Sequence, residues 1–264
     1  MNKPVREAWL AMLMAALMPA LGAAQPAPYL KDAVTWQKST QGISGLWRMR
    51  GYLSSSTNPP RARTARMVDG QLPPLLPWAA ELLEKRLTDA ENLKAFSNTA
   101  SRCLPQGIPY MLHAAVDGPV QILETPGQVT LISTAYNEMW FIYLNQKHPP
   151  KDDIEPTYHG DSVGHWEGDT LVVDTIGLTT KTTIDQVGMP HSEDLHVITR
   201  IRRTDAETLE MLVTVDDPGT FSKPWTRQQI YKKSPDSARV EESVCENQRN
   251  GVDANGYQML DFAR

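Results

Sequence analysis

"PVQILETPGQVTLISTAYNEMWFIYLN", Pro119 to Asn145, decides the fold. Three runs rich in β-branched and aromatic residues are separated by Pro126-Gly127 and Asn137-Glu138, links that read as hairpin turns. Hairpins put consecutive strands side by side and antiparallel, so the stretch predicts a meander. The same grammar repeats downstream. "SVGHWE" (162–167) turns at Gly168-Asp169 into "TLVVDTIGL" (170–178), and a long polar link leads to "LHVITRIRR" (195–203). "TLEMLVTVDD" (208–217), "WTRQQIYKK" (225–233) and "RVEESVCEN" (239–247) follow. Upstream, "GISGLWRMRGYLS" (42–54) is a first strand entered through glycines. A meander of about ten strands must remove its edges, and closure into a barrel does so. The expected fold is all-β with one main helix: an antiparallel, up-and-down, lipocalin-like barrel of about 8–10 strands. A β-sandwich is the alternative arrangement of the same strands.

The helix is "WAAELLEKRLTDAENLKAF", residues 78–96. Pro77 precedes it, and Ala79, Leu82, Leu83, Leu87, Ala90 and Leu93 recur at three- and four-residue steps. Residues 54–77 carry too many prolines for either regular element and read as a lid-like surface loop. Residues 25–38 read as an N-terminal arm. Residues 1–24 have the layout of a secretory signal peptide: Lys3 and Arg6, an apolar run from Ala8 to Met18, then small residues. The expected product is a single barrel-like domain, residues 25–264, in the periplasm or secreted, with no membrane span. The formal charge of -5 is accompanied by no cluster of Lys or Arg, which excludes the electrostatic footprint of a nucleic-acid or anionic-membrane binder. Cys103 and Cys245 are the only cysteines, and an oxidising compartment permits them to pair.

Gly45-Leu46-Trp47 on the first strand resembles the Gly-x-Trp opening of lipocalin-like barrels, in which the Trp closes one end. "CLPQGIPYML" (103–112), "QILETPGQVTLI" (121–132), "VGHWEGDTLVVDTIGL" (163–178), "DQVGMPHSEDLHVITRIRR" (185–203) and "TLEMLVTVDDP" (208–218), closing with "PW" and "VCEN", resemble a widespread family of exported bacterial proteins, mostly without an assigned function. The likeness runs from Cys103 to Arg249 and implies a β-barrel-like domain with a shared pocket, not a reaction. Two departures bear on that pocket: Tyr110 stands where an Arg is common, and Ile184 or its neighbour where a Trp is frequent.

No G-x-S-x-G elbow, no zinc-binding H-E-x-x-H and no phosphate-binding glycine loop is present, so triad hydrolysis, a metal site and a nucleotide cofactor are not expected. General acid–base chemistry asks for less: a histidine, a carboxylate to orient it and a dry pocket. "DQVGMPHSEDLH" (185–196) supplies such groups. His191 is the expected proton carrier, with Asp185 or Asp194 orienting it, although Asp194 suits a turn cap equally well. Asp174 is an unusual charge on the apolar stripe of Val172 and Ile176 and joins the catalytic candidates. Tyr136, Tyr110, His113, Trp140 and His196 are the candidates for binding substrate. Trp140 also suits the core, and His196 points outward if Val197 and Ile201 point in. His148 reads as a solvated loop residue, and His159 and His165 as structural or exposed. These groups fit a cofactor-independent lyase or isomerase acting on a hydrophobic, aromatic or polycyclic small molecule in the barrel. The alternative is a lipocalin-like binding protein without turnover.

Overall fold

Nine strands form one closed barrel in the computed structural model, which describes residues 42–50, 59–92, 94, 96–113, 119–133, 135, 138–235 and 238–240. They are β1 (Gly45–Met49), β2 (Val120–Thr125), β3 (Gln128–Ser133), β4 (Glu138–Leu144), β5 (Asp161–Glu167), β6 (Thr170–Ile176), β7 (His196–Asp205), β8 (Thr208–Asp216) and β9 (Trp225–Lys233). Strand order follows chain order, and β9 pairs with β1 to close the ring. The hairpins fall where turn chemistry puts them: Thr125 faces Gln128 across Pro126-Gly127, and Glu167 faces Thr170 across Gly168-Asp169. Both glycines take positive φ, as such tight links require.

One junction departs from the up-and-down expectation. β4 and β5 are parallel, paired only through Tyr143–Val163 and Leu144–Gly164. A parallel neighbour cannot be reached by a hairpin. The proline-containing connection of residues 145–160 therefore runs back outside the barrel, held by Thr157 N–H to Gly177 O (3.0 Å) and Thr179 N–H to Thr157 O (2.9 Å). The tenth expected strand also differs: Arg239 and Val240 are in no strand, and residues 241–247 lie outside the described residues.

Burial alternates along β4 and the first part of β7, while β3, β6 and β8 carry runs of consecutive buried residues. Trp47, Ile122, Leu131, Ile142, Leu171, Ile201 and Met211 point inward with no exposed surface. Trp47 donates its indole N–H to Ile43 O (2.9 Å), with the Arg203 guanidinium 5.5 Å over its ring.

The helix, α1, is Pro77–Glu91, shorter than the stripe suggested. Asn92 ends it by donating its side-chain amide to Thr88 O (2.9 Å). Ala79, Leu83 and Leu87 form its buried face, each leucine contributing about 1.5–3 kcal/mol by leaving water. The Pro-rich segment before α1 is anchored, not free: Leu75 bridges Phe221, and Leu76 N–H bonds Thr220 O (2.8 Å). After α1 the chain enters a short second helix, α2 (Tyr110–His113), tied to the barrel wall by Tyr231 O–H donating to Leu112 O (2.8 Å). Gly107, just before α2, has φ +73, and a Cβ there would sit 2.2 Å from Tyr158 O. Gly107→Ala is therefore expected to cost more than the about 1–2 kcal/mol of the left-handed backbone alone. Its thermal midpoint should fall by at least about 4 °C in calorimetry; an unchanged midpoint would contradict this packing.

The described residues all belong to one unit, Val34–Arg264. The signal-peptide segment lies outside the described residues, as do Cys245 and Tyr136. Among the described residues no helix is long and apolar enough to cross a membrane.

Candidate functional site

A groove of about 640 Å³ opens on the outside of the barrel, beside the start of β7. One wall is the β4–β5 crossover, with Lys151, Ile154 and Pro156. The other comes from the connection between β6 and β7, with Leu178, Thr179, Thr180, Glu193, Asp194 and Leu195. Lys151 Nζ reaches Asp194 Oδ1 across it at 3.2 Å. Ile176 and His196 form the floor where the groove meets the strands.

The strand pleat sets what lies beside that floor. On β6, Leu171, Val173 and Thr175 point inward, so Asp174 and Ile176 point out; on β7, Val197 and Ile201 point inward, so His196 points out. Asp174 pairs in register with Ile198, which makes His196 its diagonal neighbour on the same outer face. His196 Nε2 lies 2.7 Å from Asp174 Oδ1. A carboxylate accepts, so Nε2 carries the proton and Nδ1 is left as a base. The imidazole is 36% exposed, open to anything in the groove.

Two further residues extend the pair, and sequence reading missed both. His148, at the start of the crossover, places Nδ1 2.5 Å from Asp161 Oδ1 and Nε2 3.3 Å from Asp174 Oδ1. Its side chain is only 18% exposed, so the solvated-loop reading is corrected: the crossover folds back and presses His148 against the outer faces of β5 and β6. Asp161 joins from the first position of β5, opposite Ile176. The result is a row, Asp161–His148–Asp174–His196, drawn from the crossover and from β5, β6 and β7. No set of three or more His, Cys, Asp or Glu side chains among the described residues has the geometry to hold a metal ion.

The residues most favoured by sequence adjacency lie elsewhere. Asp185 is fully buried and accepts N–H bonds from Ala65 (2.8 Å), Met189 (2.9 Å) and Val187 (3.1 Å). Burial raises its carboxyl above the usual range, against the pull of those amides. His191 is buried too: Nδ1 donates to Ser192 O (2.8 Å), and Nε2 lies 2.8 Å from Thr182 Oγ1. It hydrogen-bonds neither Asp185 nor Asp194. Asp217 anchors the same loop, accepting from Ser192 N–H (2.8 Å) and Ser192 O–H (2.5 Å). Tyr110 is buried, Trp140 donates its indole N–H to the buried Ser162 Oγ (2.7 Å), and His113 ends α2. His159 bonds the buried Glu138 (2.9 Å), and His165 the exposed Glu167 (3.2 Å).

Burial lowers the His191 pKa, with the Ser192 carbonyl and Asp217 opposing. The unfolded chain then takes up this proton first as pH falls below about 6.5. The stability tied to neutral His191 is present above that value and is lost as pH drops toward the folded value. Urea unfolding at about pH 7 and about pH 5.5 should show a loss of up to about 1.4 kcal/mol per pH unit from this group, absent in His191→Gln. Identical pH slopes in the two proteins would refute it.

Among known proteins, no family model, curated protein or solved structure matches this chain.

Proposed function

We propose that the protein is an exported acid–base enzyme of the lyase or isomerase type, acting on a hydrophobic small molecule bound in the outer groove. The observation that carries this reading is the His196–Asp174 pair at 2.7 Å, with His196 on the groove floor and Asp174 behind it. His196 Nδ1 takes a proton from a carbon acid, and Asp174 steadies the imidazolium that forms. Returning that proton to another carbon completes a proton shift; delivering it to a departing group completes an elimination. Thr179 and Thr180 offer hydroxyls to a substrate oxygen, and Ile154, Pro156, Leu178 and Leu195 an apolar wall that limits water.

The first test needs no known substrate. The protein is incubated in D2O with a panel of small carbonyl compounds, and exchange of their acidic C–H positions is followed by NMR. Exchange that disappears in His196→Ala and is reduced in Asp174→Asn supports the reading. Probes that perturb groove resonances without exchanging would instead favour a binding protein.

Export and a Cys103–Cys245 disulfide belong to the same proposal. The mature chain is expected to begin at Gln25 and to show no reactive thiol when denatured without reductant. An intact Met1 terminus, or two alkylated cysteines by mass spectrometry, would reject them.

A further inference from the structure

We infer that the groove takes a hydrophobic amine: a ligand with an aliphatic body and a cationic head, in preference to a carboxylic acid. This rests on the groove being the binding site and adds the charge of what it binds.

The groove and the row behind it hold four carboxylates, Glu193, Asp194, Asp174 and Asp161, against Lys151 and two imidazoles, His148 and His196. Even with both imidazoles protonated, negative charge exceeds positive; with both neutral the excess is larger. The sign of the local field therefore does not depend on the histidines. The flanking chain reinforces it, since Asp152, Asp153 and Glu155 on the crossover outnumber Lys147 and Lys181 nearby.

The one lysine in the groove is already engaged with Asp194 at 3.2 Å, so an incoming carboxylate would have to compete for it. Glu193 has no hydrogen bond or ion pair among the described residues and stands exposed at the groove edge. A ligand ammonium gains Glu193 there while its chain lies along Ile154, Leu178 and Leu195. A carboxylate in the same pose meets Glu193 and Asp194 as like charges, and a surface of one sign selects its partner by repelling the other.

The test titrates the full mature protein with three probes of one shape, hexylammonium, 1-hexanol and hexanoate, following methyl resonances of Ile176, Leu178 and Leu195. Hexylammonium is expected to bind roughly fivefold more tightly than hexanol, the scale of one exposed ion pair, with hexanoate weakest. Glu193→Gln should remove that advantage and leave hexanol unchanged, and added salt should erode it. Hexanoate binding as well as or better than hexylammonium overturns the inference while leaving the groove standing. No response to any probe overturns both the inference and the groove.

Discussion

His196→Ala is expected to lower turnover by about 10²- to 10⁴-fold, the contribution of a positioned general acid or base, while the fold survives nearly unchanged. The second half of that expectation gives the experiment its force. His196 projects from the outer face of β7 and is 36% exposed, and its partner Asp174 is 41% exposed. Removing the imidazole leaves Asp174 facing water, not a dry interior. The lost pair is worth at most about 1 kcal/mol of stability at such exposure. Activity and thermal midpoint should therefore separate: a large kinetic defect beside a shift of a few degrees. Asp174→Asn should fall between wild type and His196→Ala, because the imidazole stays but loses the charge that stabilises its protonated form. If His196→Ala kept activity within a few-fold on a compound the wild type turns over, His196 would not be the proton carrier.

The separation also distinguishes His196 from His191, the residue that sequence adjacency favours. "DQVGMPHSEDLH" gathers two histidines and two aspartates within one loop, but nearness along a chain does not make side chains meet. Asp185 turns into the protein and spends its oxygens on backbone amides, Asp194 turns outward to Lys151, and His191 bonds a neighbouring carbonyl. Strand parity was the better guide here. The alternation Val172, Asp174, Ile176 singled out Asp174, but as a buried charge, whereas its side chain is 41% exposed on the outer face; for His196 parity gave the outward direction on the condition, met here, that Val197 and Ile201 point in. Both belong to regular strands, where a period of two determines the face. The turns were legible for a similar reason, since Pro126-Gly127 and Gly168-Asp169 need local backbone geometry and nothing more.

What sequence could not reveal depends on long-range placement. "KHPPKDD" has no periodicity, so nothing in it says that the crossover folds back over β5 and β6 and carries His148 to Asp161 and Asp174. The parallel β4–β5 pair was hidden likewise, because a proline-containing link of that length can lead to either strand direction. A barrel was legible from the hairpins; the groove lies where the crossover of the one parallel junction faces the long β6–β7 connection.

Asp185→Ala is expected to have the largest effect on stability of any single change in the loop of residues 177–195. The carboxylate is fully buried and satisfies three backbone amides, one of them Ala65, which lies 120 residues away in the chain. It joins the segment before α1 to the β6–β7 connection, so two elements whose strand-like pairing among the described residues is one isolated bridge each depend on it. Removal leaves three buried N–H groups without acceptors, each costing about 1–3 kcal/mol, with partial relief as water enters the space. A loss of about 3–6 kcal/mol is a large share of a total near 5–15 kcal/mol, and calorimetry should show a midpoint lowered by roughly 10–20 °C. The pH dependence has a definite sign. Burial raises the Asp185 pKa in the folded state, so its contribution is fullest below the unfolded value of about 3.9 and declines as pH rises through the folded value. The variant lacks that decline, so the gap between the two proteins should be widest in acid and narrow toward neutrality. A gap that instead widened from acid to neutral pH would mean that the three amides outweigh burial and hold the carboxylate charged. A midpoint within about 3 °C of wild type, less than the cost of one unsatisfied amide would produce, would show that Asp185 does not bear the junction at all.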